Sequence, residues 1–165
     1  MHLIRSAAAL HARWVTLCDR LRSPLLLAIR LFWGWQFAVT GWGKLHHLDR
    51  VTDFFSSLGL PMPHATAAFV GSVEFIGGIL LALGFGSRLV SGVLLVNMTV
   101  AYWSADRDAF LGILSAPDKF YGADPFTFWF AALLILVLGP GSLAFDTILR
   151  RAFSGYPKNT SNCSF

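Results

Sequence analysis

Residues 65–85 read ATAAFVGSVEFIGGILLALGF, and Glu74 is the one ionisable group in the run. Other apolar runs are interrupted in the same way. Arg30, Gln36 and Lys44 fall between residues 24 and 45, and Asn97 and Tyr102 fall between 88 and 105. These six form the candidate binding or proton-handling set. A carboxylate can accept hydrogen bonds or carry a proton. An ammonium, guanidinium, carboxamide or phenol can donate to a carbonyl oxygen. No residue is assigned a catalytic role. His46, His47 and His64 cluster in sequence near Lys44 and Asp49, but neighbouring histidines on a helix diverge and no third ligand has recognisable spacing, so no metal site is expected. Cys18 and Cys163 form no CxxC pair, and neither a structural disulfide nor a thiol redox couple is expected.

The runs that carry these groups define the elements. Twenty-one helical residues span roughly 30 Å, the thickness of a bilayer's hydrocarbon core. Four stretches match that length: 24–45, 65–86, 88–105 and 124–146. The chain has 165 residues, 55% hydrophobic and 13% charged, with a mean hydropathy of +0.60. Soluble domains carry about twice that share of charge. The predicted fold is all-α, an integral membrane four-helix bundle with short interfacial helices in the outer loops. One of these is HLDRVTDFFSSLGLPMP, in which Leu48, Val51, Phe54, Phe55 and Leu58 share a side and Gly59 and Pro61 end the helix.

Charge sets the expected orientation. Arg5, Arg13, Arg20 and Arg22 precede the first run, Arg88 lies between the second and third, and Arg150, Arg151 and Lys158 follow the fourth. The loop between the third and fourth runs holds Asp106, Asp108, Asp118 and Asp124 against Arg107 and Lys119. Both termini are therefore expected in the cytoplasm. The pI near 9.5 reflects this topology and contact with anionic lipid, not nucleic acid. Residues 1–23 read as a basic leader whose Leu3, Leu10, Trp14, Leu17 and Leu21 suit an amphipathic helix on the inner leaflet, with a disordered leader as the alternative. Residues 24–150 form the transmembrane domain, and 151–165 read as a disordered tail.

Helices in lipid associate through small residues. Ala67, Gly71, Glu74, Gly78 and Ala82 make one stripe, and Arg30, Gly34, Phe37, Gly41 and Lys44 make another. Pairing the two stripes would give close backbone contact and bring a partner to the acid. Counted from the cytoplasmic ends, Arg30 lies roughly 9 Å deep, Asn97 about 14 Å, Gln36 and Glu74 about 18 Å and Lys44 about 30 Å. Helical side chains lean toward their own N-terminus, so Lys44 leans toward Glu74 and Arg30 leans away, toward the headgroups. Lys44 is the expected partner. Gln36 points off the stripe. Asn97 reads equally as an interhelical hydrogen-bonder.

The run R-x3-G-x2-F-x3-G-x2-K from Arg30 to Lys44, GLPMP at 59–63, GSVEFIGGILLALGFGSR at 71–88 and GPGSLAFD at 139–146 together resemble the DoxX family over roughly residues 22–150. The resemblance implies a small four-helix membrane protein. It also implies kinship with membrane subunits of respiratory complexes, such as a thiosulfate:quinone oxidoreductase, or with redox-stress complexes. Some similar proteins sit in operons with small metal-binding peptides. The sequence carries no haem, CxxCH, cysteine-cluster or nucleotide-loop motif, so a redox role would use quinone directly or a partner subunit's centre. In that reading Glu74 handles a proton and Lys44 binds a quinone carbonyl, with Trp35, Trp42 and Tyr102 as aromatic walls. The partners expected are the lipid bilayer and other membrane or redox-complex subunits. The glycine stripes also allow a homo-oligomer. A reading of another class stands beside it: a non-catalytic membrane scaffold, or an accessory protein that handles a small solute or metal.

Overall fold

The structure, a computed structural model, describes residues 2–147 and 149, and for residues 2–9 the backbone alone. The expectation of a disordered tail over 151–165 lies outside the described residues. Every regular element among those described is helical: α1 (His2–His46), α2 (Leu48–Ser57), α3 (Pro63–Leu83), α4 (Ser87–Ala105), α5 (Arg107–Leu111), α6 (Pro117–Gly122) and α7 (Phe126–Leu138). The second half of α1 packs with α3, α4 and α7 around one core of Phe37, Leu81, Leu94, Met98, Ala132 and Ile135.

The two small-residue stripes meet. A side-chain carbon at Gly34 would lie 2.8 Å from the Gly78 carbonyl oxygen, and one at Gly41 would lie 2.7 Å from that of Gly71. Glycine is therefore required where α1 crosses α3, because the two backbones touch. The resulting α1–α3 interface is the most extensive in the molecule. It places α1 and α3 side by side and brings residues 40–44 against residues 70–75.

The expected boundaries hold for the second and third runs and shift for the other two. The leader is helical and joined to the first run without a break, with Pro24 inside α1. The resulting helix is roughly 70 Å long. The fourth run stops early. Gly139 (φ 81°) and Pro140 end α7 at Leu138, so that helix has 13 residues and spans about 20 Å. Residues 139–146 fold back onto the α3–α4 turn instead of continuing the helix. Arg22 donates to the Leu138 carbonyl (3.2 Å) and Ser142 to Ser23 (2.8 Å), which fixes α1 to this segment.

By length and composition, one helix among the described residues, Pro63–Leu83, is long and apolar enough to cross a membrane. The others fall short for identifiable reasons. Arg30, Gln36 and Lys44 dilute α1, Asn97 and several serines dilute α4, and α7 is short. Much of this dilution comes from the groups that could do chemistry.

Candidate functional site

Glu74 sits in the middle of α3 and is 1% exposed. Its Oε2 forms an ion pair with the Lys44 ammonium from the last turn of α1. Its Oε1 accepts from Asn97 Nδ2 on α4 at 3.2 Å. The Lys44 partnership follows from helix direction and depth, as expected. Thr40 was not anticipated, although it lies one turn before Lys44 on the same side of α1. Its hydroxyl is 3.4 Å from Glu74 Oε2 and 3.0 Å from the carbonyls of Gln36 and Phe37. One hydroxyl hydrogen cannot serve all three, and the shorter bonds within α1 hold it.

A cavity of about 600 Å³ adjoins this pair. Thr40 and Lys44 of α1, Val70 and Glu74 of α3, Met98 and Ala101 of α4 and Phe128 of α7 line it. Phe54 and Phe55 of α2 and Asp106 and Asp124 line it as well. Lys44 and Glu74 both line the cavity, Lys44 with 30% of its side chain exposed and Glu74 with 1%. A smaller pocket of about 90 Å³ continues between Asn97, Leu58 and Leu60. The short helix α2, amphipathic with no fully buried residue, thus roofs the polar pair as well as resting on the bundle's end.

Three of the six candidates do not join this site. Tyr102 is fully buried, but its hydroxyl donates to the Phe120 carbonyl (2.7 Å) and its ring stacks on Phe120. It anchors α6 to α4. Gln36 is half-buried, and its side chain makes no hydrogen bond among the described residues. Arg30 does not reach toward headgroups: it is 1% exposed, donates to the Leu143 carbonyl at 3.2 Å, and lies against Gly84 so closely that a side chain there would collide with the guanidinium. The fold-back after α7 encloses it, which a straight helix over 124–146 would not have done. The aromatic walls also differ from expectation. Trp35 is 67% exposed, and Trp42 packs outward against His46 and Phe75, so Phe54, Phe55 and Phe128 take their place.

Arg30 belongs to a second polar centre at the opposite end of the bundle. Asp146 lies in the same segment as the Leu143 carbonyl that Arg30 bonds, without forming an ion pair with the guanidinium. The Asp146 carboxylate accepts from the backbone amides of Gly86 (2.7 Å) and Ser87 (2.9 Å), at the N-terminus of α4, and its own amide donates to the Gly84 carbonyl (3.0 Å). Both Gly84 and Gly86 have left-handed φ, which lets the turn present these groups. The described residues contain no group of three histidine, cysteine or acidic side chains that could hold a metal ion.

Residues 25–107 match the model of the DoxX family. The chain is similar to the inner membrane protein YphA of Escherichia coli K12, 29% identical over 138 residues, covering 76% of this chain and 90% of that one. It is also similar to a Bacillus subtilis 168 protein named "Putative oxidoreductase CatD", 26% identical over 117 residues, covering 62% and 86%. No solved structure matches.

Proposed function

The chain belongs to the DoxX family of membrane proteins, and from that premise we propose that it is an inner-membrane subunit supporting quinone-linked oxidoreduction or redox-stress defence, with the Glu74 cavity as its quinone site. One observation carries this reading. A buried carboxylate–ammonium pair forms part of the wall of an aromatic-lined cavity within the helices. Phe54, Phe55, Phe128, Val70 and Met98 suit the apolar faces of a quinone ring. Lys44 uses one of its three N–H donors on Glu74 and keeps others for a carbonyl oxygen. A bound quinone would supply two-electron chemistry that no side chain here can perform. The chain's own residues would orient the ring, exclude bulk water beneath α2 and hold a proton at Glu74. The name of the Bacillus subtilis relative points the same way.

The same reading has α1 from residue 24, α3, α4 and α7 crossing the bilayer as a four-helix bundle with both termini cytoplasmic. Phe32 and Trp35 on α1, Phe69 and Ile76 on α3, Val96 on α4 and Val137 on α7 are all exposed, giving the four helices outward apolar faces that water-soluble monomers rarely carry. The short α7 would be completed in depth by residues 139–146, of which Gly139 and Ala144 are buried while Leu143 and Phe145 face outward. The basic leader would then occupy the cytoplasmic side, and the lipid bilayer and other redox-complex subunits would be its partners.

A second reading, the non-catalytic scaffold or the solute- or metal-handling accessory, draws on a specific feature. Both Glu74 oxygens already have partners within the chain, as a purely structural glutamate would. Mass spectrometry of small molecules and proteins retained on protein gently extracted from its native membrane separates the two. Quinone bound to wild type and lost from Glu74→Gln is the expected outcome. Partner proteins retained on both, with quinone on neither, would replace the first reading with the second.

A further inference from the structure

We propose that the small space beside the Glu74 cavity receives the hydrocarbon tail of a membrane-resident quinone whose ring sits against the Lys44–Glu74 pair. The inference rests on the preceding reading and deepens it, by naming the substrate class of the same site and the residues that select it.

The first support is how the two spaces are joined. Phe54 and Phe55 of α2, Val70 of α3, and Ala101 and Ala105 of α4 line both the cavity of about 600 Å³ and the space of about 90 Å³. The larger one carries the ion pair and can seat a ring with carbonyl oxygens. The smaller one has no room for a second ring, since an apolar cavity that holds benzene measures roughly 150 Å³. A chain enters where a ring does not.

The second support is the chemistry of that smaller space. Its polar side chains are Thr66, Asn97 and Ser104, and each is already engaged. Thr66 donates to the Pro61 carbonyl (2.7 Å), Ser104 to the Val100 carbonyl (2.7 Å) and Asn97 to Glu74 Oε1 (3.2 Å). A polar substituent placed there would lose its hydrogen bonds to solvent and find none in return. A hydrocarbon chain gives up nothing on leaving lipid and gains close packing. Val100 connects the space to the outside of the bundle. It belongs to this lining and is 52% exposed, on the face of α4 where Leu89, Val93, Val96 and Trp103 are also exposed at helical spacing. A tail lying over Val100 would continue onto the face that the preceding reading turns to lipid, so its further length is unrestricted.

The test uses the full-length chain in lipid nanodiscs and two probes, a benzoquinone bearing a decyl tail and the same benzoquinone without it. Ser104 lines the smaller space and not the cavity, so Ser104→Phe fills the one and spares the other, while Ser104→Ala keeps both open. Dissociation constants are compared between variant and wild type for each probe separately, so partition into the lipid cancels. Ser104→Phe should weaken the tailed probe about tenfold, the low end of what one misfitted methylene costs, and leave the tailless probe within about twofold. Ser104→Ala should match wild type for both. Thr66→Phe narrows the same space from α3 and should give the pattern of Ser104→Phe, which keeps the test open if that variant does not fold. Both probes weakened alike by the folded variants, or neither weakened, would overturn the tail assignment and leave the quinone reading standing. Wild type binding neither probe would remove the quinone reading and this one with it.

Discussion

Two charge centres on the same helix pair, one at the α3–α4 turn and one midway along α3, are built from opposite materials. At the terminal end, Asp146 is held by backbone amides of the α3–α4 turn, and Arg30 is enclosed against Gly84 and the Leu143 carbonyl. At the α2 end, Glu74 is held by side chains alone, from Lys44 and Asn97, beside a cavity of about 600 Å³. A charge satisfied by backbone fastens the chain, because removing it leaves amides that cannot move away. A charge satisfied by side chains next to empty space can exchange partners, because an ammonium or a carboxamide can turn toward a ligand. Similar residue types thus give a fastening in one place and a site in the other.

The contrast can be broken most directly at the fastening. Asp146→Ala leaves the Gly86 and Ser87 amides without their charged acceptor, so thermal unfolding in detergent should register a loss of about 2–4 kcal/mol. A loss below about 1 kcal/mol would remove the distinction. Gly78→Ala tests the interface that carries both centres. Its new methyl meets the backbone of α1 rather than a side chain, so about 1–3 kcal/mol should be lost. Glu74→Gln sharpens the comparison from the other side. Lys44 can turn its charge toward the cavity, so the same unfolding measurement should show only about 1–2 kcal/mol, well below the Asp146 value. Gln36→Leu should change stability by no more than about 0.5 kcal/mol, because that side chain belongs to neither centre. A larger drop would reveal a partner for Gln36 and a third centre.

Periodicity made much of this legible. The stripes over 30–44 and 67–82 follow helical spacing, and two glycine-bearing faces with complementary charges have one economical way to meet. Lys44 was separable from Arg30 as the partner of Glu74 by helix direction and depth alone. Thr40 was not, since a threonine near the end of a helix usually bonds back to its own turn, as this one also does. Phe54 and Phe55 fall on a short interfacial helix, and Phe128 falls in the fourth apolar run. Nothing local marks them as cavity walls.

What the sequence by itself determined is the set of helices, the pairing of the first long helix with α3 and the pair of charges that this brings together, because these depend on spacings within single helices. Tertiary structure alone decided that α2 folds over the pair, that a void remains beneath it, and that the chain after Leu138 turns back so that Asp146 reaches Gly86 and Ser87 and buries Arg30. The contacts of that fold-back join residues 59 to 113 positions apart. Which of them become neighbours depends on how whole helices share a core, and no local pattern records that.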